Sequence, residues 1–132
     1  MIFLLDTDTC IDALRHDPRI LSRLRAASPD NISVASMTEA ELWYGAWGSR
    51  DPAEARRSVA AFLAPLARLP FDSEAAEHHA ELRFALRAHP IGERDLIIAS
   101  IAAAQGLALV THKVREFSRV PALTVEDWIA AG

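Results

Sequence analysis

Short, mostly apolar runs recur along the chain without the alternation of a half-exposed strand: Ile2-Phe3-Leu4-Leu5, Ile32 to Ala35, a stretch within Leu66 to Phe71, and Leu107 to Thr111. Uniformly apolar runs of this length are the pattern of strands covered on both faces, as in a parallel sheet. Between them the spacing becomes helical. Cys10, Ile11 and Leu14 predict a helix over Thr9–Leu14, and Ile20, Leu21 and Leu24 predict a second after Pro18. Pro29-Asp30-Asn31 reads as a turn. Two overlapping capping boxes, Ser36-x-x-Glu39 and Thr38-x-x-Glu41, predict the start of a helix running through Leu42, Trp43 and Tyr44 to about Gly48. Further helices are expected from Asp51-Pro52 to near Pro65 and from Ser73 to Ala88, the latter broken by Pro90-Ile91-Gly92.

Asp95 to Gln105 is almost wholly apolar and closed by Gly106, so that helix is expected to be central and buried. Leu123-Thr124-Val125 is a fifth strand candidate, followed by Trp128 and Ile129. Strands alternating with helices predict an α/β sandwich on a parallel sheet. No repeat, low-complexity tract or linker interrupts the pattern, so one domain over residues 1–132 is expected.

Composition narrows the classes. At 132 residues, 51% hydrophobic and 24% charged, the chain is long enough to bury a core without staples. One cysteine, Cys10, excludes a disulfide framework and a multi-thiolate zinc site; it reads as a small buried apolar residue. No run reaches the ~18 residues of a membrane span, and Met1 to Leu5 lacks a signal peptide's basic start, so a cytoplasmic protein is expected. Fourteen Lys and Arg against eighteen Asp and Glu give a net charge of −4, which disfavours holding nucleic acid by a bulk positive field but leaves local recognition open.

The acids supply the candidate chemistry. In open α/β sheets ligands bind beyond the carboxyl ends of the strands. Asp6 ends the first strand and Asp8 follows it; Glu41 lies one turn into the helix after the second strand; Asp95 opens the apolar helix; Glu116 lies just past the fourth strand. Carboxylates gathered from separate segments repel unless neutralised, and a hard divalent cation does this with oxygen ligands. Each acid also has a plainer reading. Asp6 caps the next helix, Glu41 is only the capping partner of Thr38, Asp95 is a first-turn charge, and Glu116 is a solvated charge beside Arg115. Trp43, Tyr44 and Trp47 form an aromatic stripe suited to a core or a dimer interface. The histidines add little; His112, beside the expected cleft, is the one to watch.

Four ordered blocks, Leu4-Leu5-Asp6-Thr7-Asp8, Thr38 to Gly45, Pro90 to Ala99 and Val110 to Phe117, together with the tail Val120 to Trp128, make the chain resemble the PIN-domain ribonuclease toxins of the VapC type over nearly its whole length. The resemblance implies a three-layer PIN-like α/β/α sandwich with a central, mostly parallel sheet of four or five strands. It implies a metal-dependent endoribonuclease, the toxin of a type II toxin–antitoxin pair. Asp6, Glu41 and Asp95 would hold Mg²⁺ or Mn²⁺, with Glu116 as the more variable fourth catalytic acid. It further implies a small VapB-type antitoxin whose C-terminal segment crosses the cleft, a homodimer, and structured RNA, often a transfer RNA, as substrate. Lys113 stands where the family commonly has Asn, and Asp8 where Asn is frequent. An ammonium there repels a second metal or holds the scissile phosphate as a point charge.

On this reading metal-activated water cleaves the phosphodiester, leaving a 5′-phosphate and a 3′-hydroxyl. Arg15, Arg94, Lys113 and Arg115 are the candidate RNA contacts. Two alternatives remain. Asp6-Thr7-Asp8-Thr9 also resembles the nucleophile loop of haloacid-dehalogenase-like phosphatases, with Asp6 attacking phosphorus, although the later acidic pair is missing. A non-catalytic PIN fold that binds RNA or a partner is the other.

Overall fold

The computed structural model describes residues 1–130, so the last two residues of the expected 1–132 domain lie outside it. Five strands form one sheet: β1 (Phe3–Leu5), β2 (Ile32–Ala35), β3 (Ala67–Leu69), β4 (Ala108–Val110) and β5 (Val125–Glu126). Their order is β3-β2-β1-β4-β5 and every pairing is parallel. Seven α-helices, α1 (Thr7–Leu14), α2 (Pro18–Ala27), α3 (Ser36–Trp47), α4 (Pro52–Leu63), α5 (Ser73–Ala85), α6 (Glu93–Gln105) and α7 (Val114–Phe117), and one 3-10 turn at Pro29–Asn31 complete the described residues.

The uniform hydrophobicity of the strands has a direct cause. Leu4, Ala35 and Leu109 enter one core with Leu82 of α5, Ile98 and Ile101 of α6, and Phe117 of α7. Their neighbours Leu5, Val34 and Val110 point to the opposite face and meet Cys10, Ile20, Leu42, Val59 and Leu63. Both sides of the sheet are covered, which makes three layers. Trp128 seals the second core at the end of the chain, packed edge-on against Phe3 with Arg23 over its ring.

Element starts follow local chemistry. Asp17, Asp51 and Asp72 each accept a backbone N–H at the head of α2, α4 and α5, and Pro18 and Pro52 occupy first-turn positions that need no donor. Gly106 ends α6 in the left-handed region at φ 66°, as its sequence position predicted.

Several expectations needed correction. Neither capping box exists: α3 starts directly from the end of β2, Ala35 is its cap without a side-chain bond, and Thr38 is buried inside the first turn. Helix α5 stops at Ala85 rather than Ala88, because Leu86 already closes its last turn. The fifth strand is Val125–Glu126 rather than Leu123–Val125, starting two residues later and ending one later, and α7 carries no readable period in its four residues. Of the aromatic stripe, Trp43 is half-buried but Tyr44 and Trp47 are 83% and 64% exposed, so they are not core residues.

The sheet order places a switch point beside β1. The chain moves outward through β2 and β3, then returns to lay β4 on the other flank of β1. The crevice at such a point, beyond the carboxyl ends of the strands, is where open α/β sheets bind ligands.

Candidate active site

Asp6 and Thr111 are the first residues past β1 and β4, and the ladder continues through them: Asp6 N–H donates to the Val110 carbonyl at 3.0 Å. Asp6 is 1% exposed. One carboxylate oxygen accepts the Thr9 N–H at 2.9 Å, capping α1, and the other accepts the Thr111 hydroxyl at 2.5 Å. Burial nonetheless raises its pKa above the ordinary 3.8, only partly offset by those bonds, and the nearby charge of Asp8 raises it further. The plain reading of Asp6 as a helix cap is therefore correct, but one oxygen suffices for it.

Glu41, inside α3, does not reach back to a capping N–H. It accepts the Thr7 hydroxyl at 2.7 Å, and its other oxygen lies 3.6 Å from Arg94. Thr7 also bonds Thr38 at 3.1 Å, so the residue next to Asp6 ties α1 to α3. Two hollows flank Glu41. One, of about 370 Å³, includes Thr7, Asp8, Tyr44 and Arg94; the other, of about 440 Å³, is mostly apolar and includes Arg15.

Asp95 lies in the first turn of α6, where the helix dipole favours a carboxylate. Burial raises its pKa, the Lys113 hydrogen bond and charge oppose this, and the neighbouring Glu116 raises it again. Glu116 accepts the Gly92 N–H at 3.2 Å. A β-carbon placed on Gly92 would lie 3.7 Å from Asp95 Oδ2 and 3.9 Å from Glu116 Oε1, so both carboxylates close over that glycine. Glu116 is thus not merely a solvated neighbour of Arg115.

Lys113 stands between these acids. Its ammonium is 3.2 Å from Asp95 Oδ2 and 3.5 Å from Asp8 Oδ2. Partial burial pulls its pKa down, but the bond and charge of Asp95, with Asp8 and Glu116 behind it, win and raise it. Its backbone N–H donates to the Thr111 hydroxyl oxygen at 2.9 Å. Arg115 is exposed on α7, and with Lys113, Glu116 and Arg119 it lines a shallow surface. His112 pairs with Asp127 at 2.9 Å, away from the carboxylates already described. Cys10 is fully buried, and burial together with the Asp6 charge pushes its thiol well up, which leaves it unreactive.

The donor chemistry, carboxylates and hydroxyls, suits a hard divalent ion. Among the described residues, however, no three acidic or histidine groups converge tightly enough to chelate one ion. The repulsion between the acids is relieved instead by Lys113 and Arg94. A metal therefore fits the site by ligand type, with the ammonium standing in as the cation. Sequence reasoning missed Thr7 and Thr111, whose hydroxyls fix Glu41 and Asp6. Their signal was a hydroxyl residue within two positions of the end of a buried strand.

Residues 3–123 match the family described as PIN domain. The tRNA(fMet)-specific endonuclease VapC of Salmonella typhimurium is 35% identical over 128 residues, covering 96% of this chain and 97% of that protein. Ribonuclease VapC2 of Rickettsia felis is 34% identical over 97% of this chain and 98% of its own. Among solved structures, DNA-bound VapBC from Salmonella typhimurium superposes with a TM-score of 0.92 at 36% identity, covering 97% of this chain and 98% of that one. VapBC2 from Rickettsia felis bound to a promoter DNA fragment gives 0.90 at 33% identity, covering 97% and 99%.

Proposed function

The chain belongs to the PIN-domain family as a VapC-type ribonuclease, the toxin partnered by a VapB-type antitoxin, and we propose that it cleaves structured RNA at the carboxylate cluster beyond β1 and β4. The observation that carries this reading is the place of Asp6: buried at the switch point of the sheet, oriented by Thr9 and Thr111, and linked through Thr111 and Lys113 to Asp95, which meets Glu116 at Gly92.

Enzymes of this family depend in general on a divalent metal. Here Asp6 and Asp95 are the residues that would hold Mg²⁺ or Mn²⁺, with Glu41 orienting the shell through water and Glu116 assisting. Such an ion, when bound, polarises a phosphoryl oxygen and acidifies water. The chain's own groups supply orientation. Thr111 and Thr9 hold Asp6 in one rotamer, Thr7 holds Glu41, and the Gly92 N–H holds Glu116. Arg15, Arg94 and Arg115, all exposed around the cluster, and Lys113 within it, meet the phosphates of the substrate. The tRNA specificity in the name of the Salmonella relative supports a transfer RNA as the substrate class. The protein acts as one domain over 1–132, in the cytoplasm, as a homodimer; among the described residues no helix is long and apolar enough to cross a membrane.

The phosphatase alternative goes no further. The family match spans its loop, and Asp8, its acid/base, pairs with Lys113.

Sequencing the ends of RNA fragments after brief induction tests the mechanism. Metal-activated hydrolysis leaves 5′-phosphate and 3′-hydroxyl ends, sensitive to chelation and restored by Mn²⁺. Ends bearing a 2′,3′-cyclic phosphate overturn it, and RNA binding without cleavage returns the protein to the non-catalytic alternative.

A further inference from the structure

Lys113 is the only lysine in the chain, and it joins three carboxylates at once. Its main-chain N–H bonds Thr111, whose hydroxyl holds Asp6; its side chain reaches Asp95 at 3.2 Å and Asp8 at 3.5 Å. A lysine ammonium is a compact charge with three donors, so it neutralises oxygens that an ion would otherwise claim. We propose that Lys113 is a resident cation of the carboxylate cluster, which limits the site to one divalent ion and weakens the binding of that ion.

The charges of the cluster support this. Asp6, Asp8, Asp95 and Glu116 bring four negative charges, and Lys113 removes one, while Glu41 is balanced separately by Arg94 at 3.6 Å. One divalent ion brings the remaining three charges down to one; a second would leave the cluster positive. A metal bound directly to Asp95 also competes with the ammonium for the same carboxylate. Even at an effective dielectric near ~20, a divalent and a monovalent cation that close repel by many times the thermal energy. The backbone bond to Thr111 fixes where the Lys113 side chain leaves the loop between β4 and α7, within reach of Asp95 and Asp8.

This inference rests on the metal-dependent reading above, and the test separates the two. The full-length, metal-free chain is titrated with Mn²⁺ alone, followed by calorimetry and by the electron paramagnetic resonance of free Mn²⁺. Wild type, K113M, K113Q, K113R and D95N are compared, with circular dichroism confirming that each is folded. The wild type should take up one Mn²⁺ per chain. K113M and K113Q should bind at least ~10-fold more tightly or accept a second equivalent, K113R should behave as wild type, and D95N should lose the site. Two ions on the wild type, or neutral variants that bind as the wild type does, overturn the role of Lys113 while leaving the metal site intact. Mn²⁺ uptake that neither wild type nor K113M shows, or that ignores D95N, overturns both readings.

Discussion

At Asp6, burial and hydrogen bonding pull in opposite directions. The carboxyl is almost fully enclosed, and two donors do not restore what water would give it, so its pKa lies above 3.8. Asp95 is raised as well, again mainly by burial. A raised carboxyl means that the folded chain holds the proton more tightly than the unfolded chain. The stability this confers is complete below 3.8 and is lost as pH climbs through the folded values. Asp17 acts in the other sense: its hydrogen bond from Arg19 holds it down to about 2, so its contribution is present above 3.8 and is lost as pH falls from 3.8 through about 2. Metal-free D6N should therefore melt above wild type at pH 7, and the gap should close as pH falls toward 4 in a series of thermal melts. The same substitution, and D95N, should cut RNA cleavage by roughly 10²–10³-fold or more with unchanged circular dichroism. Stability gained where activity is lost is the mark of a charge kept for chemistry.

At the level of elements, two glycines give opposite expectations, although a β-carbon added at either would meet nothing within 4 Å. Gly106 sits at φ 66°, where an L-residue is strained, so G106A should cost about 1 kcal/mol, a drop of roughly 3–5 °C in melting temperature. Gly45 lies inside α3 with helical backbone, so G45A should raise stability by about 0.5–1 kcal/mol in the same assay. Element α3 also shows where local patterns mislead. Ser36, Thr38, Glu39 and Glu41 match two capping boxes letter for letter, yet β2 runs into α3 without a loop. The hydroxyl of Thr38 goes to Thr7, Glu41 is claimed by Thr7 and Glu39 lies 3.7 Å from Arg68. Long-range partners outcompeted the local ones because the turn was already buried.

For the whole molecule, the exposed face of α3 is the notable surface. Tyr44 and Trp47 are exposed there, Arg56 of α4 lies over the Trp47 ring, and the apolar hollow beside Glu41 opens between α1, α3 and α4. Large exposed aromatics next to a groove are the features partners bury. With a VapB-type antitoxin as the partner, W47A should weaken its binding by at least ~10-fold in calorimetry while leaving cleavage by the free toxin near wild type, and Y44A should weaken binding by less. Unchanged affinity in both variants would place the antitoxin elsewhere.

The alternation of doubly covered strands with helices was readable along the chain, because a residue buried on either face of a parallel sheet must be apolar whatever its neighbours in space. So were the stop at Gly106 and the presence of acids just beyond buried strands, both of which depend on residues a few positions apart, whereas the caps at Asp17 and Asp72 went unread among ordinary surface charges. Which acids meet was not readable. Asp6 takes its second bond from Thr111, Glu116 closes on Gly92, and Lys113 bridges Asp8 to Asp95, pairings between segments up to 105 residues apart. Local sequence sets what a segment is able to form. Where its charges end up depends on which strand lies beside β1, and the packed sheet alone decides that.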